Sequence, residues 1–275
     1  MSDRRLTPAN GRVAARHLKG IVQADAYVDG MPRRIAQPIV DLCAKPEGKR
    51  DRQLLLGAGV SVFEDVNGWA FVQSDADGYV GYVPSAAIAD TDAPTFRIAT
   101  TATHAYETES FKSRDLMRLT FGTQVHVIDE RHKMYETPQG FIPKKHLRPL
   151  DRPFADPVTV AQLYFGTPYL WGGNSTIGVD CSGLVQAGLQ ACGIFCPGDS
   201  DLQQAELGRD IAPDAPLQRG DLMFWKGHVG IMVDADVMLH ANAHHMAASY
   251  EPIAAAIIRI KAQGDGEVTA RKRLM

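Results

Sequence analysis

Apolar and polar residues alternate with a period of two along residues 38–84, which is the pattern of half-buried β-strands. Asn67-Gly68 and Asp77-Gly78 interrupt the alternation, and both dipeptides favour two-residue hairpin turns. Short strands joined by tight turns predict a small all-β barrel. The predicted strands cover residues 38–42, 54–56, 60–64, 69–72 and 79–84. Ahead of them, residues 13–18 predict a short helix.

The plan of this first barrel is repeated between residues 95 and 149. One glycine and two valines return at a constant offset of 65 residues: Gly57, Val60 and Val62 become Gly122, Val125 and Val127. The segment 140–143 likewise echoes 81–84. A repeat of this length predicts two tandem barrels.

The pattern changes after the proline-punctuated segment 150–157. Helical spacing of apolar residues marks residues 158–165, 184–192, 200–207 and 253–262, with Ser200 as the N-cap of its helix. Alternation marks residues 221–225, 228–233 and 237–241 as neighbouring antiparallel strands, and 268–274 as an edge strand. Helices followed by strands indicate an α+β domain. The predicted domains are residues 1–90 (N-terminal segment and first barrel), 91–150 (second barrel) and 151–275 (α+β domain).

The net charge of −3 and the sequence pI near 6.3 disfavour nucleic acid and acidic membranes as partners, because both attract basic proteins. No apolar run approaches the roughly 20 residues that cross a bilayer, and the N-terminus lacks the apolar core of a signal peptide. We therefore expect a cytoplasmic protein. Four cysteines are too few for a disulfide framework in a chain of 275 residues. We interpret Cys43, Cys192 and Cys196 as small buried apolar residues.

The fourth cysteine has a different setting. A glycine- and proline-rich loop over residues 166–180 leads directly to Cys181, and a helical pattern that Gly193 closes begins there. Unpaired N–H groups and the helix dipole favour an anion at a helix N-terminus, and they favour the thiolate of a cysteine in that position. Cys181 is therefore the predicted nucleophile.

Two histidines supply the other groups that a cysteine nucleophile needs. His228 begins one predicted strand and is the candidate base. His240 lies on the next strand, where it would accept the proton of the far ring nitrogen and fix the tautomer. His244 and His245 could join His240 in a metal site, but no acidic ligand or helical histidine spacing supports one. We expect neither a metal nor a cofactor.

These residues resemble the NlpC/p60 family of cell-wall cysteine peptidases, which is a compact papain-like group. The resemblance covers residues 155 to about 260 and rests on motifs at 168–173, 180–185, 220–222, 228–231 and 240–241. It implies an α+β papain-like catalytic domain preceded by two all-β SH3-like barrels. It also implies hydrolysis of the amide between γ-D-glutamate and a diamino acid, diaminopimelate or lysine, in peptidoglycan peptides.

The resemblance assigns roles to individual residues. Cys181 would attack the γ-carbonyl, and His228 would activate the thiol and later protonate the leaving amine. The Cys181 backbone N–H, together with the Tyr169 hydroxyl, would stabilise the oxyanion. The other predicted substrate-binding residues are Trp171 at the wall of the cleft, Asp180 at the substrate amine, and Ser182 and Ser200 at the D-glutamate carboxylate and peptide backbone.

The barrels resemble bacterial SH3-like domains through the Gly68-Trp69 hairpin and the closing segment 81–84. Barrels ahead of such a peptidase, without an export signal, resemble the muropeptide-recycling subgroup. There the first barrel caps the cleft and selects peptides with a free N-terminal L-alanine. Glu64 is the candidate partner of that ammonium group, with Tyr79 or Tyr82 beside it.

Two other functions stay open at this point. One is a catalytically spent protein that only binds wall fragments, and the other is a papain-like acyltransferase or amidase with another substrate. A peptidoglycan-derived peptide is the expected partner. The sequence leaves open the choice between diaminopimelate and lysine, and also the oligomeric state.

Overall fold

The computed structural model describes residues 3–274, and its contacts divide the chain into two compact units, one ending at Asp151 and the other beginning at Arg152. None of the helices in the described part of the chain is both long and apolar enough to span a membrane.

The strands of the first unit are β1 (Val13–Ala15), β2 (Ala26–Val28), β3 (Met31–Ile35), β4 (Ile39–Cys43), β5 (Arg50–Leu55), β6 (Gly59–Val66), β7 (Trp69–Ser74), β8 (Val80–Pro84), β9 (Ile88–Ala89), β10 (Phe96–Ile98), β11 (Ala102–Tyr106), β12 (Asp115–Thr120), β13 (Gln124–Val125), β14 (Asp129–Glu130), β15 (Met134–Thr137), β16 (Gly140–Pro143) and β17 (Leu147–Pro149).

Seven strands form the sheet of the first barrel, in the order β5-β4-β8-β7-β6-β3-β9. All five predicted strands are present, at β4 to β8. Asn67 and Gly68 join β6 to β7 with φ of 54° and 79°, because the two-residue turn that fits twisted strands needs positive φ at both positions. The alternating apolar residues of these strands, among them Leu42, Val60 and Val83, point inward and are fully buried.

The predicted helix over residues 13–18 is wrong. Residues Val13–Ala15 form β1, which pairs in parallel with β2, and a short 3₁₀ turn follows at Arg16–Leu18. Ala14 and Ala15 are buried by that pairing, which outweighs the helical preference of alanine.

The second barrel combines a three-stranded sheet, β13-β10-β17, with a five-stranded sheet, β12-β11-β16-β15-β14. Its core contains Ile98, Leu119 and Ile142, together with Leu56 from the first barrel. The repeated glycines Gly57 and Gly122 both adopt a left-handed backbone, with φ of 83° and 84°. The repeat in the sequence is therefore also a repeat in the structure.

The second unit is mixed α and β. Its helices are α1 (Pro157–Gln162), α2 (Cys181–Ala191), α3 (Ser200–Glu206) and α4 (Ile253–Gln263). Its strands are β18 (Asn174–Ser175), β19 (Gly178–Val179), β20 (Arg209–Asp210), β21 (Leu222–Trp225), β22 (His228–Met232), β23 (Val237–Asn242), β24 (Ala247–Pro252) and β25 (Ala270–Arg273).

Six of these strands form one antiparallel sheet in the order β20-β25-β21-β22-β23-β24. The three predicted neighbouring strands are β21, β22 and β23. The expected edge of this sheet needs correction: β25 is not an edge strand, because β20 covers it, and neither edge strand, β20 or β24, was predicted. Ser200 is the first residue of α3 rather than its N-cap, which is Asp199.

Helix α2 packs on the sheet against β22 and β23. Leu184, Val185 and Leu189 are fully buried on its inner face, each stabilising the fold by roughly 1.5–3 kcal/mol through removal of its side chain from water. Gly193 closes the helix at φ of 75°. This packing fixes the first turn of α2 over the strand that begins with His228.

Candidate active site

Cys181 is the first residue of α2, as predicted, and Asp180 is the N-cap that places it there. The Asp180 carboxylate accepts hydrogen bonds from the backbone N–H of Gly183 at 2.7 Å and from the Ser182 hydroxyl at 2.9 Å. Its other oxygen accepts from the N–H of Gly172 at 2.9 Å. One carboxylate therefore starts the helix and ties the preceding loop to it, in accordance with the preference for Asp at this position.

The glycine that follows Cys181 and Ser182 is required for steric reasons. A Cβ atom at Gly183 would lie 2.5 Å from the carbonyl oxygen of Gly173, so only glycine lets the loop approach the first turn of α2 this closely. Gln203 of α3 secures the same turn, because its amide donates to the Ser182 carbonyl at 2.9 Å. The cysteine thus has a rigid backbone beneath it.

The thiol lies against the turn that carries the candidate base. Cys181 Sγ is 3.9 Å from the carbonyl oxygen of Gly227, the residue before His228. Backbone N–H groups of Val229, Ser182 and Cys181 also point towards the sulfur, where they favour negative charge. A developing anion at this position would meet donors from both the helix and the strand.

The predicted pairing of the two histidines is present. Nε2 of His228 lies 2.8 Å from Nδ1 of His240, and the two ring planes are inclined at 61°. Gly230 makes this possible, because a Cβ there would lie 3.1 Å from the Cβ of His240 and 2.3 Å from the Met238 sulfur. The glycine of the His-Val-Gly motif is therefore required for the approach of β23.

Two residues that the sequence reading missed lie behind His240. Nε2 of His240 is 3.0 Å from Oε2 of Glu251 on β24. Arg259 of α4 donates to both oxygens of Glu251, from Nε at 2.8 Å and from Nη2 at 2.7 Å. The acidic residue just before the predicted helix at 253–262 was the only sequence signal for Glu251. It could not be used, because strand β24 had not been predicted.

The ionisation of the thiol differs from the expectation. Burial, reinforced by the negative charge of Asp180, raises the pKa of Cys181 to about 12, whereas the helix N-terminus alone would lower it. Burial also lowers the pKa of His228 to about 3. At neutral pH the Cys181 thiol and the His228 imidazole are therefore both uncharged, so the thiol proton must leave the sulfur as it attacks.

The other predicted residues of the second unit are Tyr169, Trp171, Ser182 and Ser200. Burial, and then the charges of Cys181 and Asp180, raise the pKa of Tyr169, so its hydroxyl stays protonated close to both residues. Trp171, on the same loop, is 72% exposed, which rules out core packing as its role. Ser182 and Ser200 are buried. Their contacts with a substrate stay predictions.

Glu64 and Tyr82 lie in the first unit, on either side of Phe71 across three paired strands. A β-bulge after Val62 turns Glu64 out of the regular alternation. Its carboxylate accepts from Arg12 Nε at 2.8 Å and from Asn10 Nδ2 at 2.9 Å. The candidate ammonium partner is therefore ionised but already paired. Tyr79, the alternative neighbour, is buried in the barrel core.

His240, His245 and Glu251 have potential metal-ligand atoms within 4.8 Å of one another. Both oxygens of Glu251 already accept hydrogen bonds from Arg259, and a cation there would face that guanidinium. The donor set therefore fits a hydrogen-bonded chain better than a metal site. His244 and His245 lie on the exposed turn between β23 and β24.

A cysteine at a helix tip, with an imidazole pair on the adjoining antiparallel sheet, defines the papain-like class of α+β domains. Residues 166–259 match the NlpC/P60 family, and residues 42–88 match the bacterial dipeptidyl-peptidase SH3 domain. The second unit therefore contains an NlpC/P60 domain, and the first contains a bacterial SH3 domain.

Relatives with assigned names agree with this family. The chain is 37% identical over 94 residues to a gamma-D-glutamyl-L-lysine dipeptidyl-peptidase of Bacillus subtilis, covering 31% of each chain. It is 26% identical over 229 residues to the protein of the same name from Bacillus cereus, covering 70% of this chain and 67% of that one. The chain thus spans about a third to two thirds of the length of these relatives.

A solved NlpC/P60 family protein from Bacillus cereus has the same fold. It superposes with a TM-score of 0.74 over 89% of this chain and 99% of its own, at 19% sequence identity. The similarity extends over the β-rich and the α+β parts of the sequence. At this identity it defines the fold alone.

Proposed function

We propose that the protein is a cysteine endopeptidase that hydrolyses the amide between γ-D-glutamate and a diamino acid in peptidoglycan-derived peptides. The observation that supports this most strongly is the arrangement of Cys181 at the tip of α2 beside a His228–His240 pair held at 2.8 Å. The names of the two Bacillus relatives support the bond and the substrate class.

The reaction begins with attack of the Cys181 sulfur on the γ-carbonyl carbon, while the thiol proton passes to His228. The negative charge that forms on the carbonyl oxygen is stabilised by the Cys181 backbone N–H and the Tyr169 hydroxyl. The imidazolium of His228 then gives its proton to the amine of the diamino acid, the C–N bond breaks, and an acyl-thioester remains. Water, activated by the neutral imidazole, hydrolyses the thioester and restores the thiol.

The neutral resting pair suits a general-base mechanism. A base must be unprotonated to accept the thiol proton, and burial lowers the pKa of His228, which keeps its imidazole neutral at physiological pH. The substrate excludes water from a site that is already buried, which strengthens the oxyanion contacts.

The remaining predicted residues are proposed to select the substrate. In the second unit, Asp180, Ser182, Ser200 and Trp171 are the proposed contacts with the D-glutamyl residue and the substrate amine. In the first unit, Glu64 with Tyr82 is the proposed partner of a free N-terminal L-alanine. We place the protein in the cytoplasm, in murein peptide recycling, on the strength of the expected specificity for free peptides. Fractionation of cells of the source organism tests this location.

The decisive experiment incubates the protein with L-Ala-γ-D-Glu-diaminopimelate, with the lysine counterpart, and with the same peptides still attached to sugar. Mass spectrometry should show the dipeptide L-Ala-D-Glu and the free diamino acid from the first two substrates only. Cys181→Ala should fold normally and lose turnover by about four orders of magnitude or more. Cleavage that persists in Cys181→Ala would exclude the proposal.

A further inference from the structure

We propose that Glu251 is a positioning residue that fixes the tautomers of both histidines, so that Nδ1 of His228, the ring nitrogen that does not face His240, is the unprotonated one. This rests on the proposed cysteine peptidase function for its catalytic consequence, but the tautomers themselves do not depend on the substrate. The last of the sequence motifs ends at Ala241, so Glu251 lies outside them.

Glu251 is an acceptor only. Although burial alone would raise its pKa, hydrogen bonds from Arg259 and His240 lower that pKa well below the ordinary value of 4.5. Its side chain is only 10% exposed, and Arg259 engages both of its oxygens. The carboxylate is thus ionised and held in one orientation.

The direction of each hydrogen bond follows from this acceptor. Because Oε2 of Glu251 has no proton, Nε2 of His240 must be the donor across the 3.0 Å contact. A neutral His240 with its proton on Nε2 has a lone pair on Nδ1. That lone pair must accept, so Nε2 of His228 donates across the 2.8 Å contact. The neutral ring of His228 then has its lone pair on Nδ1.

Nδ1 of His228 is the nitrogen left to receive the thiol proton. When it does, the imidazolium is stabilised by the same chain, because His240 accepts from it and Glu251 places a negative charge behind His240. Arg259 keeps that charge from taking up a proton itself. Arg259 therefore orients the Glu251 carboxylate, and that carboxylate acts through His240 to keep Nδ1 of His228 free to accept a proton.

Replacement of Glu251 by glutamine tests this logic with almost no change in shape. A glutamine side chain offers one acceptor and one NH₂ group, whereas Arg259 and His240 together require acceptors at both positions. If the oxygen faces both Nη2 of Arg259 and His240, the NH₂ group opposes Nε of Arg259. If the amide turns over, His240 receives a donor and the tautomers of both histidines reverse.

We expect Glu251→Gln to lower kcat by roughly 10- to 100-fold, the usual effect of losing a buried partner of a functional histidine, with KM nearly unchanged. In ¹⁵N-histidine NMR spectra without substrate, His228, assigned by its loss in His228→Ala, should be protonated on Nε2 in the native protein. In Glu251→Gln it should gain the form protonated on Nδ1. The matched control is Glu267→Gln, which removes an exposed glutamate that pairs with Lys261 of α4 but touches no histidine.

Glu251→Asp provides the rescue variant, because it restores a carboxylate; it should recover the native tautomer and part of kcat. Circular dichroism and thermal melting confirm that each variant is folded. The proposal is overturned if native His228 is protonated on Nδ1, or if Glu251→Gln keeps both the native tautomer and the native kcat. If the native protein cleaves no γ-D-glutamyl peptide and yet the tautomers change as described, the proposed function fails and this inference stands.

Discussion

Two buried carboxylates of the second unit, at different strands of the same sheet, are each held by an arginine. Arg259 engages Glu251 at 2.8 and 2.7 Å beside the edge strand β24, and Arg273 engages Asp221 at 2.8 and 2.7 Å where β25 meets β21. Both carboxylates are at most 10% exposed. By burial and distance alone, the two pairs are equivalent.

Their remaining contacts differ. Asp221 also accepts from the backbone N–H of Gln218 at 2.8 Å, and Arg273 donates to the Pro216 carbonyl at 3.0 Å, so that pair joins β21, β25 and a loop. Glu251 touches His240 instead. A buried ion pair can therefore have either of two roles, depending on what else the carboxylate contacts. Asp221 fixes the backbone, whereas Glu251 orients a histidine next to the proposed base.

Among the variants that compare the two ion pairs, we expect the greatest loss at His240, which connects Glu251 to the base. His240→Ala removes the acceptor of the His228 Nε2–H and should lower kcat on the order of 10³-fold. His240→Asn can present its side-chain oxygen to the same proton and should stay within about tenfold of the native kcat. Steady-state kinetics with the tripeptide measure both variants. Equal losses in the two would show that His240 has no orienting role.

The second prediction concerns the other ion pair. Asp221→Asn weakens the hold on Arg273 and should lower the free energy of unfolding by about 1–3 kcal/mol, which is the effect of impairing a buried charged hydrogen bond. Activity per folded molecule should be almost unchanged, because no reacting group contacts Asp221. Urea unfolding and kinetics at a temperature where the variant is folded separate the two quantities. A large fall in kcat would show that the Asp221–Arg273 pair also affects catalysis, which would contradict the proposed difference between the two pairs.

A third bidentate pair, Arg12 with Glu64, extends the comparison to the first unit. Arg12 is 59% exposed, so this pair is far less protected from water than the other two. Glu64→Gln should raise KM for a peptide with a free N-terminal L-alanine by about fivefold, the effect of one partly exposed charge contact. KM for the N-acetylated peptide serves as the control. The assignment of Glu64 to the ammonium is wrong if both peptides respond equally.

The smallest effect is expected in the acid stability. The pKa of Glu251 is lowered in the folded protein, so its contribution to stability is complete above its ordinary value of 4.5 and is lost as pH falls through and below that value. The melting temperature should therefore fall further between pH 7 and pH 3.5 in the native protein than in Glu251→Gln. Parallel melting curves over this range provide the comparison. Identical losses would show that the Arg259 contact is absent in solution.

Local signals were enough to predict much of this site from the sequence. A glycine-rich loop, an Asp N-cap and an amphipathic helix place Cys181, because each acts over a few neighbouring residues. His228 and His240 begin and continue adjacent strands, and antiparallel pairing brings such positions together. The barrels were likewise readable from alternation and from turns such as Asn67-Gly68.

Contacts that depend on how distant segments pack together could not be predicted from such local patterns. Glu251 is on a strand whose short, weakly alternating sequence predicts nothing by itself, and Arg259 reaches it only because α4 packs back on the sheet through Ile253 and Ile260. The high pKa of Cys181 was also missed. The helix N-terminus is visible in the sequence, whereas the burial that opposes it is a property of the folded chain.

The proposed reaction requires that Cys181 form a covalent acyl intermediate with the γ-D-glutamyl group. The most direct test mixes the native protein with L-Ala-γ-D-Glu-diaminopimelate, quenches the reaction with acid within the first turnover, and determines which peptide of the digested protein gains mass. We expect an L-Ala-γ-D-Glu acyl group on the sulfur of Cys181 and no acyl group on Cys181→Ala. An acyl group on another residue, or a first-turnover release of the diamino acid without any acylated protein, would contradict it.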